Sequence, residues 1–166
     1  MGRYRDIIQL VDGKAIVIDP KNLPSHIADI SDQAYNFSFE REVFDLTNEY
    51  RISNGVAPLL WDDDLAATAR EHSMDLFLNN LDGHIGSDGS TLKQRLLRRG
   101  ITDTATENVA TRQMTPAEAF EAWLSSPGHR ANILNPKLDY LGVGFYNYYW
   151  TQDFLISSYT TSNNEF

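Results

Sequence analysis

Two glycines alternate with large apolar residues near the end of the chain, in the segment Tyr140–Tyr146. In an extended strand the apolar residues share one face, and Gly142 and Gly144 leave the opposite face bare. Such a face lets another part of the chain approach closely. A second strand-like run over 150–157 follows the polar stretch 147–149. The pattern therefore predicts an antiparallel hairpin that is open to close packing on one face.

Helical patterns occupy most of the chain before this hairpin. Apolar residues recur at helical spacing from about Phe39 to Gly55, and Asp62 opens a second helix that ends near Gly83. The remaining predicted elements are a short helix from Ser90 to Gly100, a strand over 104–111, a helix started by the capping box Thr115-Pro116-Ala117-Glu118, and a short helix capped by Ser126. Helices followed by a hairpin predict an α+β fold, with helices packed on an antiparallel sheet.

The N-terminal residues have a different character. Runs rich in β-branched residues over 7–11 and 14–18 flank Asp12-Gly13, a type I′ turn signal, and predict a β-hairpin extension. The two prolines within 19–25 predict a connector. An isolated hairpin is marginally stable in water, so this one is either the tail of an upstream region or a decoration of the following domain. The predicted organisation is hairpin and connector over 1–37, the main domain over 38–160 and a C-terminal tail over 161–166.

Composition excludes several classes of protein. The 166 residues contain no cysteine, which excludes disulfide frameworks, cysteine-ligated zinc and thiol nucleophiles. The formal charge of -9 disfavours nucleic acid and anionic membrane surfaces as partners. No apolar run approaches the roughly 20 residues of a membrane span, and no signal peptide precedes the first charged residues. The chain is either cytoplasmic or a piece whose export signal lies upstream, and composition leaves both open.

The chain has four histidines, and two of them suit a binding site. His26 lies in the connector and His72 lies in a helix beside its apolar face, where a satisfied, partly buried imidazole is expected. His84 lies in a turn-rich loop. His129 lies near the start of a short helix, where the dipole favours the neutral imidazole that binds metal or accepts a proton. The alternative for His129 is a hydrogen bond to a local carbonyl.

Glu107 stands among small and apolar residues on the predicted strand. A carboxylate there needs a cation, a histidine or backbone donors as its partner. Either catalysis or a structural hydrogen bond would satisfy this requirement, and no local motif such as H-E-x-x-H joins Glu107 to His84 or His129. A basic run on the short helix, Lys93, Arg95, Arg98 and Arg99, is interpreted as a solubilising face, with an anionic ligand as the alternative.

Taken together, the motifs from about Phe39 to Tyr159 resemble the CAP superfamily of SCP-like extracellular domains, in its short bacterial form. The segments that carry the resemblance are Leu46–Arg51, Leu59–Ala66, His84 with Asp88-Gly89-Ser90, Glu107–Ala110, Trp123–Leu134, Leu141–Gly144 and Trp150–Phe154. The resemblance implies an α-β-α sandwich with a central antiparallel sheet and an open cleft.

The resemblance also implies the site residues. In family members two histidines and acidic residues line the cleft, and some bind zinc or another divalent cation there. Carried over by motif, the metal-binding set is His84, His129 and Glu107. A second glutamate of many animal and plant members is Ser126 here, and the glycine usual before the Glu-Asn pair is Thr106. Two histidines and one carboxylate can still hold a metal with an open coordination position.

Two functions follow as hypotheses. The first is an extracellular or cell-envelope binding module, whose cleft holds a small-molecule, lipid or cell-wall ligand and a divalent cation. The second is a metal-assisted hydrolase of peptide or cell-wall material, in which Glu107 is the general base for a water held by His84, His129 and the metal. The hydrolase requires these three side chains to converge on one open point.

Overall fold

A computed structural model describes residues 7–11, 14–18 and 34–158, and the chain divides into two compact units after residue 34. In the first unit, strands β1 (Ile7–Val11) and β2 (Lys14–Ile18) pair antiparallel, as the hairpin pattern predicts. The Asp12-Gly13 turn, the connector with His26 and the tail over 161–166 lie outside the described residues. The assignment of residues 1–37 to an upstream region stays a prediction.

Residues 34–158 contain five helices and four strands, and most lie where the sequence predicts them. In chain order they are α1 (Phe37–Ser53), β3 (Leu60–Trp61), α2 (Asp63–Leu78), α3 (Leu92–Leu97), β4 (Thr104–Thr111), α4 (Pro116–Ser125), α5 (Pro127–Ile133), β5 (Tyr140–Tyr146) and β6 (Tyr149–Ile156).

Polar side chains fix the starts of most of these helices. Asp62 accepts a hydrogen bond from the backbone N–H of Leu65 and caps α2, as predicted. Thr115 caps α4 in the same way. The cap predicted for α5 forms only in part. Ser126 occupies the N-cap position, but its side chain makes no capping hydrogen bond with the described residues. The proline at the first turn of α5 is the remaining start signal, since its fixed φ suits a helix.

The sheet has the strand order β3-β5-β6-β4. The β5–β6 and β6–β4 pairs are antiparallel, which confirms the predicted sheet, whereas β3 adds a two-residue parallel edge that the sequence pattern does not reveal. The β5–β6 turn is also one residue shorter than predicted. It consists of Asn147 and Tyr148, both at positive φ, the backbone of the tight hairpin turns that match strand twist.

Helix α2 covers the glycine face of β5 at very short range. A Cβ atom on Gly142 would lie 2.1 Å from the backbone nitrogen of Ala66, and one on Gly144 would lie 2.0 Å from that of Arg70. Real Cβ atoms do not approach backbone so closely, so only glycine permits this contact. The two glycines therefore set the distance between α2 and the sheet.

The opposite face of the sheet carries the main hydrophobic core. The apolar residues of β5 pack there with residues of α1 and α4, including Val43, Phe120 and Trp123, all of which are buried. Leu65 of α2 and Leu96 of α3 belong to a smaller cluster. Helices on both faces of one sheet make the predicted α-β-α sandwich. None of the helices in the described part of the chain combines the length and hydropathy needed to cross a bilayer.

Candidate functional site

Adjacent residues of β4, Glu107 and Asn108, organise the candidate site from opposite faces of the sheet. Successive side chains of a strand point to opposite faces. Glu107 is paired with Asp153 of β6, which in turn is paired with Gly142 of β5, so these three residues form one row across the sheet. Glu107 therefore lies on the face that α2 covers, and Asn108 lies on the other face, toward α5.

Glu107 is buried and both of its carboxylate oxygens are engaged. Oε1 lies 2.9 Å from Nδ1 of His84, and Oε2 accepts a 2.6 Å hydrogen bond from Arg95. The side chain of Glu107 is only 3% exposed, whereas that of His84 is 53% exposed. The buried carboxylate thus holds a half-exposed imidazole by one nitrogen, Nδ1.

The charges in this network reinforce one another. Burial alone would raise the pKa of Glu107, but the hydrogen bond from His84 and the charge of Arg95 outweigh burial and lower it. An ionised Glu107 accepts hydrogen bonds only, so Nδ1 of His84 carries the proton of their shared bond. That same hydrogen bond raises the pKa of His84. The raised pKa extends to higher pH the range in which His84 is a cation with an Nε2–H donor; above that range the neutral ring has a free Nε2 lone pair.

Asn108 fixes the second histidine through the backbone of α5. Its Nδ2 donates to the carbonyl of His129 at 3.2 Å and to Oε1 of Gln152 at 3.0 Å, and its Oδ1 accepts from Asn132 at 2.9 Å. The imidazole of His129 is partly buried. Burial, followed by the charge of His84, lowers the pKa of His129, which agrees with the neutral ring predicted from the sequence. The positive charge of His84 thus contributes to keeping His129 neutral.

His72 of α2 lies beneath the site. It is 1% exposed, its Nε2 is 3.0 Å from the carbonyl of Gly83, and Nε2 also lies 3.9 Å from Oε1 of Glu107. Burial lowers the pKa of His72, so the ring is neutral. The sequence predicts that His72 has both ring nitrogens hydrogen-bonded, but only Nε2 is, because Nδ1 has no hydrogen-bond partner among the described residues.

The structure corrects the interpretation of the basic run on α3. Arg95 is buried against Glu107, Arg98 pairs with Asp88, and Arg99 pairs with Glu71 and Asp64. The interpretation as a solvated face is therefore wrong for Arg95, which is buried, whereas Lys93 and Arg98 are exposed as predicted. The burial of Arg95 has a sequence signal, because it follows Leu92 by three residues and so shares the apolar face of the helix.

Asp153 is a second site residue that the sequence analysis does not single out. It is fully buried on β6, and no N–H or O–H group of the described residues donates to either carboxyl oxygen. The available signal is the polar run Thr151-Gln152-Asp153 inside an otherwise apolar strand. A charged residue type in a strand buried on both faces requires a partner.

The structure gives Glu107, one of the three predicted metal ligands, two protein partners. Oε1 lies 2.9 Å from Nδ1 of His84, and Oε2 accepts a hydrogen bond from Arg95. Among the described residues no group of three or more His, Asp or Glu side chains could hold a metal ion. Nε2 of His84 and the ring of His129 remain as nitrogen ligands for a metal. A carboxylate that accepts a hydrogen bond from the other ring nitrogen commonly orients a metal-binding histidine. The zinc prediction stays a prediction.

Comparison with known proteins identifies the fold. The model of the CAP family, described as the cysteine-rich secretory protein family, matches residues 44–159. The chain belongs to the CAP family. Among its curated Bacillus subtilis relatives, YkwD is 38% identical over 121 residues, which are 71% of this chain and 47% of YkwD. YlbC, named as an uncharacterized membrane protein, is 37% identical over 134 residues, which are 80% of this chain and 38% of YlbC.

Solved structures of other CAP proteins agree. An extracellular Bacillus anthracis protein that contains an SCP domain has a TM-score of 0.73 and 34% identity, covering 87% of this chain and 47% of that one. A cysteine-rich secretory protein from Staphylococcus aureus has a TM-score of 0.63 and 27% identity, covering 74% and 39%. This CAP chain therefore spans less than half the length of these relatives. The family and sandwich predicted from the motifs are confirmed.

Proposed function

We propose that this chain is an extracellular CAP binding module that holds a cell-envelope ligand at a site formed by His84 and His129, here called the two-histidine site. The observation that carries the proposal is the support of His84. A half-exposed imidazole is anchored from behind by the buried Glu107–Arg95 ion pair. Anchoring an exposed ring in this way pre-organises it for a ligand, which lowers the entropy lost on binding.

The extracellular location is supported by the relatives. The Bacillus anthracis protein, which is 34% identical to this chain over the part that the two share, is described as extracellular. The lack of cysteine fits the disulfide-free bacterial branch of the family. The net charge of -9 disfavours an anionic lipid surface as the ligand, because like charges repel.

A divalent cation would be held by His84 and His129 alone, with Glu107 behind His84 and outside the ligand set. Such a cation would add a positive charge and an open coordination position for an oxygen of the ligand. A carboxylate that accepts a hydrogen bond from one ring nitrogen of a histidine makes the other ring nitrogen a more basic metal ligand. We expect calorimetry to detect zinc binding to the wild type, and no zinc heat after His129→Ala. Absence of binding at about 1 mM zinc, equivalent to about -4 kcal/mol, would remove the cation from the proposal.

No observation favours the hydrolase. Its general base, Glu107, is buried, its pKa is lowered, and each of its oxygens already accepts a hydrogen bond, from His84 or from Arg95. In the binding proposal this carboxylate orients His84 instead.

The binding proposal is tested by co-sedimentation with purified bacterial cell-wall sacculi. We expect the wild type to sediment with them, and the double variant His84→Ala/His129→Ala to lose at least about tenfold in affinity, or about 1.4 kcal/mol. His26→Ala, at the one histidine outside the described residues, is the control for the loss of a histidine as such. Equal sedimentation of the wild type and the double variant would contradict the proposal.

A further inference from the structure

Asp153 is a buried carboxyl group with no ordinary partner. It lies in the middle of β6, is 0% exposed, and receives no hydrogen bond from an N–H or O–H group of the described residues. An ionised carboxylate in such a place would be costly, since burial without compensating donors disfavours the charged form. The protein retains Asp153 at the centre of its sheet nevertheless.

Asp153 lies between two residues of the neighbouring strands, and only one of them has a side chain. On one side lies Gly142, which has no side chain, and on the other lies Glu107, directly opposite in the β4–β6 register. Directly opposed residues on neighbouring strands have Cβ atoms roughly 4.5–5.5 Å apart, on the same face of the sheet. The carboxyl group of Asp153 therefore faces the carboxylate of Glu107 beneath α2.

Two buried carboxyl groups this close cannot both be ionised. The proton between them belongs on Asp153, because Glu107 already accepts from His84 and Arg95, both of which stabilise its charge. Burial and the charge of Glu107 raise the pKa of Asp153 well above its usual value, in agreement with this assignment. A protonated Asp153 is a hydrogen-bond donor, and Glu107 is the acceptor that faces it.

We propose that Asp153 is a positioning residue of the two-histidine site: its carboxyl O–H donates to Glu107 and so fixes the carboxylate that orients His84. The inference rests on the proposed function only in treating His84 as part of a binding site. Glu107 is then held by three groups on three elements: His84 of the loop after α2, Arg95 of α3 and Asp153 of β6. The other titratable group near this carboxylate is His72 of α2, whose Nε2 lies 3.9 Å away.

Two substitutions separate a hydrogen-bond role from a packing role. Asp153→Asn keeps the shape and supplies an amide N–H that donates at every pH. Asp153→Val keeps a strand-forming side chain but cannot donate. If Asp153 positions Glu107, the first variant preserves the His84–Glu107 hydrogen bond and the second weakens it. Because that hydrogen bond raises the pKa of His84, the readout is the pKa and ring tautomer of His84, measured by NMR on the free protein.

We expect the His84 pKa of Asp153→Asn to stay within about 0.2 of the wild type, and that of Asp153→Val to fall by about 0.5 or more. Thr151→Val is the matched control. Thr151 is a buried polar residue of the same strand that bonds Ser73 instead of Glu107, so its loss should leave His84 unchanged. An unchanged His84 in Asp153→Val, an equal fall in Asp153→Asn, or an equal fall in Thr151→Val would each overturn the proposal.

A measurement on the wild type keeps the test independent of how the variants fold. The ¹³C shift of a carboxyl carbon distinguishes its protonated form from its ionised form, and we expect the protonated form for Asp153 at pH 7. An ionised Asp153 at that pH would overturn the proposal. These experiments contain no ligand, so failure to bind cell-wall sacculi contradicts the proposed function and leaves the role of Asp153 untouched.

Discussion

Arg95 donates a 2.6 Å hydrogen bond to Oε2 of Glu107 inside the protein, where the two side chains are 8% and 3% exposed. This pair places a permanent positive charge directly behind the two-histidine site. Arg95 also donates to the carbonyls of His84 and Ser90, so the same guanidinium fixes the loop that carries His84. The ion pair therefore links the stability of the domain to the geometry of the site.

Removing the guanidinium should destabilise the domain strongly. Arg95→Met leaves Glu107 as a buried carboxylate without its cation, and breaking a buried pair in this way costs roughly 3–5 kcal/mol. The measurement is urea unfolding at pH 7. The control is Arg98→Met, because Arg98 and Asp88 are 61% and 50% exposed and an exposed ion pair contributes little to stability. Equal losses in the two variants would contradict the account of Arg95.

Replacing the carboxylate should lower the pKa of His84. The hydrogen bond to Glu107 is the largest cause of the raised value, and Glu107→Gln removes the negative charge while keeping the shape. A histidine titration by NMR measures the change. Glu71→Gln, at the exposed carboxylate that pairs with Arg99, is the matched control and should leave His84 unchanged. A His84 pKa that stays the same in Glu107→Gln would show that the 2.9 Å contact carries no charge coupling.

The raised pKa of Asp153 should appear in the pH dependence of stability. The folded protein keeps this proton at pH values where the unfolded chain has lost it, so the contribution of Asp153 is fully present below about pH 4 and is lost as the pH rises toward the folded pKa. Asp153→Asn lacks this titration. The stability of the variant relative to the wild type should therefore increase as pH rises above about 4, measured by urea unfolding at several pH values. A difference that is independent of pH would contradict the assignment of the proton.

The glycine face of β5 should tolerate no side chain. Gly142→Ala or Gly144→Ala would place a Cβ within about 2 Å of the α2 backbone. Overpacking typically costs roughly 1–3 kcal/mol, and more where the obstacle is backbone. Gly128→Ala in α5 is the control, since a Cβ there meets nothing within 4 Å. Thermal unfolding should show large losses for the first two variants and none for the third. If Gly144→Ala were as stable as the wild type, α2 would have to lie farther from the sheet than the structure places it.

The sequence predicts the fold well because its strongest signals are local. The glycine alternation of β5 and the Asp62 cap act within a few residues, and both elements form where these signals place them. Helix α5 also begins where predicted, although Ser126 forms no side-chain cap hydrogen bond with the described residues. Strand β3 is missed because a two-residue edge strand has no periodicity to detect. Its pairing with β5 depends on residues about 80 positions apart in the chain.

The site is predicted less completely, for a physical reason. The family motifs identify His84, Glu107 and His129 as candidate site residues, but they do not predict the contacts among these residues. Sequence patterns do not show that Glu107 lies behind His84, because this depends on the register of β4 against β6 and on Arg95 reaching across from α3. Buried partners such as Arg95 and Asp153 are recognised only once the elements are packed, since each looks like a surface residue type in the sequence.

The central claim is that His84 and His129 form one binding site, and zinc titration followed by ¹⁵N NMR of the histidine rings tests it most directly. We expect the ring nitrogens of His84 and His129 to shift together with one shared midpoint, while the buried ring of His72 shifts little. Nδ1 of His84 should keep its proton throughout, because Glu107 holds it. Shifts confined to one of the two histidines, or separate midpoints for His84 and His129, would contradict the claim.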